Sequence, residues 1–134
     1  MLELKAGFAR VDITPSLGTQ IVGYYHIRKA VGVIDPLLAS AVAFDDGQRK
    51  AVIISLDLLG INEDTIDKLR LRVAETAEMD QQAVFIACTH THLGPKIDGQ
   101  YLDFLSQRLC DAVIVPLPIQ LRRWCPTPMA MWRM

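Results

Sequence analysis

The spacing of apolar positions changes period several times along this chain, and each change marks an element. Lys5 to Thr14 alternates imperfectly and is rich in β formers, which predicts a strand closed by Thr14-Pro15, where proline removes a backbone donor. Ser16 to Pro36 holds no helical period and carries Gly18, Gly23 and Gly32. An unpatterned stretch of that length is expected to be functional or flexible. Leu37 to Phe44, "LLASAVAF", is apolar and closes on "DDGQ", and "KAVIISLD", Lys50 to Asp57, follows. The two runs predict a hairpin around Asp45-Asp46-Gly47. The second is β-branched and almost unbroken, the pattern of a strand covered on both faces.

Asn62 stands where a helix N-cap is expected, and Glu63 and Asp64 put negative charge beside the positive end of the helix dipole. Ile66, Leu69, Val73 and Ala77 then recur at helical spacing on one face. "AVFIACT", Ala83 to Thr89, reads as the next strand, with Val84 to Cys88 at its centre. Leu102, Leu105, Leu109 and Ala112 predict a second helix from about Gln100 to Val113. A hairpin followed by helix, strand and helix predicts an α/β fold, a mixed sheet with helices packed on it.

The pattern stops there. Prolines at 116, 118, 126 and 128, both tryptophans and three of the five methionines fall in the last stretch, and the prolines exclude a continuous helix. Residues 1–114 therefore read as one patterned unit and 115–134 as an irregular Pro-, Trp- and Met-rich tail. Such a tail either docks irregularly or marks a domain left incomplete by truncation or a change of reading frame.

Composition narrows the function classes. The 134 residues are the size of one domain and are 51% hydrophobic, enough to bury roughly two-thirds of the unfolded surface. A net charge of −1 without blocks of like charge leaves no nucleic-acid footprint. No apolar stretch approaches the ~20 residues of a transmembrane segment. The amino-terminal residues, charged at Glu3 and Lys5, lack a signal-peptide core, so the cytoplasm is the default location. Cys88, Cys110 and Cys125 are too scattered for a disulfide framework or a metal knuckle and read as small apolar residues.

Two of the three histidines sit together in "FIACTHTHLGP". On an extended backbone residues i and i+2 share a side, so His90 and His92 can converge on one metal ion. The end of a buried strand is also where open α/β sheets bind ligands. The neighbouring threonines can fix ring tautomers, and Gly94-Pro95 turns the chain away sharply. The plain alternative is a pair of polar loop histidines. Asp57 ends "KAVIISLD" and would share that sheet edge with His90, either orienting a histidine, binding a metal, or capping the turn before "LLGINED". His26 in "GYYHIRK" reads as a loop residue. Arg28 and Lys29 beside it read as solvated, unless their loop folds over the sheet edge to meet a polar substrate group.

"GFARVDITP", "GYY", "DPLLASAVAFDDGQRKAVIISLDLLG" and "CTHTHLGP", in that order and spacing, resemble the amino-terminal part of the neutral/alkaline, non-lysosomal ceramidase family. The resemblance runs from about Ala6 to about Val113. It implies a zinc-dependent hydrolase that cleaves an N-acyl, ceramide-like amide bond with metal-activated water. By position it implies that His90 is a Zn2+ ligand, that His92 faces the metal or the carbonyl, and that Asp57 acts from the preceding strand. It also implies further ligands, a histidine, a glutamate and a tyrosine, at positions past residue 134. The expected substrate is an N-acyl lipid or other small amide. The competing expectation is a non-catalytic module that self-associates or meets a partner chain completing the fold. A metallo-β-lactamase-like site, His-x-His-x-Asp-His, is not matched, because positions 94 and 95 are glycine and proline.

Overall fold

The apolar runs assemble into one mixed sheet with both helices on one side. In chain order the elements are β1 (Lys5–Asp12), β2 (Gln20–Ile21), β3 (Arg28–Lys29), β4 (Leu38–Asp45), β5 (Lys50–Leu56), α1 (Glu63–Ala77), β6 (Val84–Cys88), α2 (Gly99–Ile114) and β7 (Leu117–Gln120). The structure, a computed structural model, describes residues 4–114 and the strand 117–120. The large sheet runs β6-β5-β4-β1-β7. β4 pairs antiparallel with both β1 and β5, β7 pairs antiparallel with β1, and β5 and β6 are parallel. A parallel pair needs a crossover, and α1 with the short 3-10 turn Gln81–Ala83 supplies it.

Local chemistry fixes the joints. In the hairpin turn the Asp46 carboxylate accepts the amides of Gln48 and Arg49, and Gly47 adopts a φ of +83° that a side chain would strain. The backbone amides of Arg49 and then Gln48 hold the Asp46 carboxyl below its ordinary value. Asn62 caps α1 as expected, accepting the Thr65 amide at 2.9 Å. Tyr101 ties α2 to the end of β1 by donating to the Ile13 carbonyl at 2.7 Å. The core lies between one sheet face and the helices. Val52, Ile54 and Leu56 of β5 and Val84 and Ile86 of β6 meet Leu69 and Val73 of α1 and Leu105 and Leu109 of α2.

Three sequence expectations change. β5 is covered on one face only: Val52, Ile54 and Leu56 are buried while Ile53 is exposed. Its run is apolar on both sides, but among the described residues only the helical side is packed. On the other side register aligns Phe8, Val42, Ile53 and Phe85 in one row across four strands. Phe8, Ile53 and Phe85 in that row are 51%, 46% and 61% exposed.

Ser16 to Pro36 is not pattern-free either, since β2 and β3 pair within it as a small antiparallel ribbon. In the stretch after 114, Leu117–Gln120 joins the sheet as an edge strand, Pro118 lying opposite Gly7. An edge is where a strand tolerates proline. The truncation or reading-frame expectation concerns residues otherwise outside those described.

Candidate functional site

The carboxyl ends of β5 and β6 run on together beyond the last strand pair. The Thr89 amide donates to the Leu56 carbonyl at 2.9 Å and the His90 amide to the Leu58 carbonyl at 3.0 Å. Gly94 then closes against the same segment: a Cβ there would stand 3.3 Å from the Leu58 Cα. The ribbon folds over this edge. Val22 donates to the Gly94 carbonyl at 3.1 Å, Lys96 donates to the Gln20 carbonyl at 2.7 Å, and Ile21 bridges to Pro95. The segment around the histidines is thus gripped by β5 on one side and by β2 on the other.

The two rings come together, with centroids 5.2 Å apart and planes nearly perpendicular at 80°. The route differs from the expected one. His90 has a φ of +64°, so the chain is not extended there and the i, i+2 argument does not apply. A left-handed residue with a side chain costs about 1–3 kcal/mol, and such residues persist where their surroundings hold them. Here the hydrogen bonds from the His90 backbone N–H to the Leu58 carbonyl and from its ring to the Leu59 carbonyl do so. His90 Nδ1 lies 2.8 Å from the Leu59 carbonyl and His92 Nδ1 lies 2.9 Å from the Gly23 carbonyl. A carbonyl oxygen only accepts, so these bonds put a proton on each Nδ1, and the neutral form of each ring then has its lone pair on Nε2. Among the described residues neither Nε2 has a hydrogen-bond partner.

Asp57 sits beside the pair without bonding either ring. One oxygen accepts the Leu38 amide at 3.0 Å and the other accepts the Thr89 hydroxyl at 3.2 Å. The carbonyls of Leu59 and Gly23 do the ring-orienting work anticipated for Asp57, whose carboxylate instead joins the ends of β4, β5 and β6. Threonine hydroxyls do not hold the rings either: Thr91 accepts the Leu93 amide at 3.3 Å. His26 stays outside the pair. Its ring is 6.3 Å from that of Tyr24, which lies 6.3 Å edge-on from His92. Arg28 and Lys29 are exposed, as expected of solvated residues, and Arg28 stacks its guanidinium 4.2 Å over Tyr24. Gly23, Tyr24 and Leu59 are the site residues that sequence reasoning missed; the glycine inside "VGYY" was the available signal.

Comparison with solved structures gives two close likenesses of fold. Neutral ceramidase from Pseudomonas aeruginosa superposes with a TM-score of 0.67 and 19% identity over 85% of this chain and 21% of that one. A ceramidase complexed with C2 gives a TM-score of 0.70, also at 19% identity and with the same coverage. The chain has a neutral ceramidase-like fold. This ceramidase-like region spans about a fifth of the length of the structures it matches. No protein-family model and no curated protein sequence matches it.

Within the ceramidase-like region, no group of three or more histidine, cysteine, aspartate or glutamate side chains among the described residues could hold a metal. Cys88 is half-buried and Cys110 buried, both as free thiols, and burial pushes the Cys88 thiol up. No helix among the described residues is long and apolar enough to cross a membrane.

Proposed function

We propose that this region carries part of a zinc-dependent hydrolase site acting on the amide carbonyl of an N-acyl lipid or other small amide. His90 and His92 are its metal-facing imidazoles, with His92 nearest the reacting group and Asp57 its supporting carboxylate. The observation that carries this reading is the pair of Nδ1 bonds to the Leu59 and Gly23 carbonyls. They hold a proton on Nδ1 of each ring, so that each neutral ring has its lone pair on Nε2, the state in which histidines ligate metals, and the ring centroids lie 5.2 Å apart.

The spacing fits as well. Zn–N bonds of about 2.0–2.1 Å and a tetrahedral angle put the centres of two ligating imidazoles about 5 Å apart. The observed separation is 5.2 Å.

When bound, zinc supplies Lewis acidity that polarises a carbonyl and makes water a stronger acid. The chain's own residues hold and orient. Leu59 and Gly23 keep the protons on Nδ1, and Asp57, through Thr89, ties the turn to the sheet. Tyr24, backed by Arg28, forms an aromatic wall beside His92 against which an apolar group can lie. The strain at His90 fits the same reading, since left-handed side-chain residues gather at functional sites. The likeness to ceramidase folds supports the N-acyl amide as the substrate class.

Zinc titration of the 134-residue chain by calorimetry tests the proposal. One ion is expected to bind, weakly because two imidazoles leave a coordination sphere unfilled, and His90→Ala or His92→Ala should each remove the binding. Binding that survives both substitutions refutes the assignment. Little or no amide turnover is expected from this chain on its own.

A second reading is an interaction module without turnover, favoured by the uncovered row on the sheet and by the absence of a third ligand among the described residues. In it the chain self-associates or meets a partner chain that completes the fold. Concentration-dependent association without zinc binding would select it.

A further inference from the structure

We propose that Gly23 is a positioning residue for His92: its carbonyl sets the tautomer of the ring, and its lack of a side chain makes the room in which the ring lies. The inference rests on reading His92 as metal-facing and adds the residue that makes it so. Three observations meet at this position. The Gly23 carbonyl is 2.9 Å from His92 Nδ1. A Cβ on Gly23 would stand 2.6 Å from that same nitrogen and 3.0 Å from Cγ of the ring. The residue also has a φ of +89°, which favours glycine.

Any side chain at 23 therefore meets both backbone strain and an imidazole inside contact distance. The ring has to leave, and its bond to the carbonyl goes with it. The carbonyl itself is not on a free loop. The bonds from Val22 to Gly94 and from Lys96 to Gln20 fasten the preceding residues to the segment that follows the histidines. The ribbon thus reaches across about seventy positions of sequence to set one ring. His90 takes its orientation from Leu59 instead, so the two imidazoles have separate anchors. A change at 23 should disturb His92 and spare His90, an asymmetry that a general loosening of the fold would not produce.

Nitrogen-15 spectra of the imidazoles in the whole chain read this directly, because only three histidines contribute. They are recorded without metal at alkaline pH, where free imidazole is neutral. In the unsubstituted chain His90 and His92 should both be Nδ1–H, with His26 showing the mixture of an exposed ring. Gly23→Ala should move His92 to that mixture, leave His90 unchanged and weaken zinc binding about 10- to 100-fold. The proposal is overturned if His92 in Gly23→Ala keeps the Nδ1–H form, or if His92 in the unsubstituted chain already matches His26. Should the variant unfold, His90 loses its signature too, and the spectrum of the unsubstituted chain decides. Adding zinc to the unsubstituted chain tests the metal reading separately, since rings that ignore zinc would end that reading and leave the tautomer assignment standing.

Discussion

Replacing Asp57 separates a supporting carboxylate from a reacting one. Its two oxygens hold the Leu38 amide at 3.0 Å and the Thr89 hydroxyl at 3.2 Å, and its own amide returns a bond to the Leu38 carbonyl at 3.0 Å. Asp57→Ala removes both side-chain bonds and leaves a half-buried amide without its acceptor. Bonds to a charged group contribute about 1.5–3 kcal/mol, less for the exposed bond from Thr89 than for the half-buried one from Leu38, so the loss should be about 2–4 kcal/mol. Against a domain stability of about 5–15 kcal/mol that is a large share. With a urea slope of about 2 kcal/mol per molar, the unfolding midpoint should fall by about 1–2 M. Asp57→Asn keeps a carbonyl oxygen for Leu38 and a polar group for Thr89, and should lose only about 1 kcal/mol. It should also keep the zinc affinity of the unsubstituted chain. Urea melts and zinc titrations of both variants check this. Equal destabilisation by both variants, or loss of zinc binding in Asp57→Asn alone, would refute the supporting role.

Leu105 is fully buried between α2 and the sheet, so Leu105→Ala should lower the free energy of unfolding by about 2–5 kcal/mol in the same melts. Tyr101→Phe strips the donor from the Ile13 carbonyl and should cost about 1–3 kcal/mol. Burial, with the Asp12 charge second, pushes the Tyr101 phenol far up, so its absorbance should not titrate until the chain unfolds in base. The Thr14 hydroxyl and then the Thr14 amide hold the Asp12 carboxyl below its ordinary value of 3.8. The unfolded chain therefore binds the proton first as pH falls. The contribution is whole above about pH 4 and fades as pH drops through the lower folded value, and Asp12→Asn should flatten that part of the acid melt.

Legibility in the sequence followed the range of the interactions. β6 ends where the apolar run ends, at Cys88, and Asn62 caps α1, because both depend on neighbours a few residues away. The mixed sheet followed from the order of runs. The β2–β3 ribbon was not legible, because two pairs of residues carry it and its footing is Gly94 to Lys96, far along the chain. The left-handed turn at His90 was hidden for a related reason: glycine or asparagine would have announced it, whereas histidine is held there by Leu58 and Leu59. The pairing of the histidines was foreseen, but the atoms that orient them are backbone carbonyls, which leave no mark in a pattern of side chains.

The row from Phe8 through Val42 and Ile53 to Phe85, uncovered among the described residues, makes temperature and salt the controls on how this chain behaves in a tube. Removing such surface from water is driven almost wholly by entropy near room temperature, so two bare rows attract each other more as the solution warms. Sulfate sharpens that pull and chilling relaxes it. Cold, dilute buffer is the condition in which single molecules should persist, and gentle heating the one in which they first clump, well below the melting of the core.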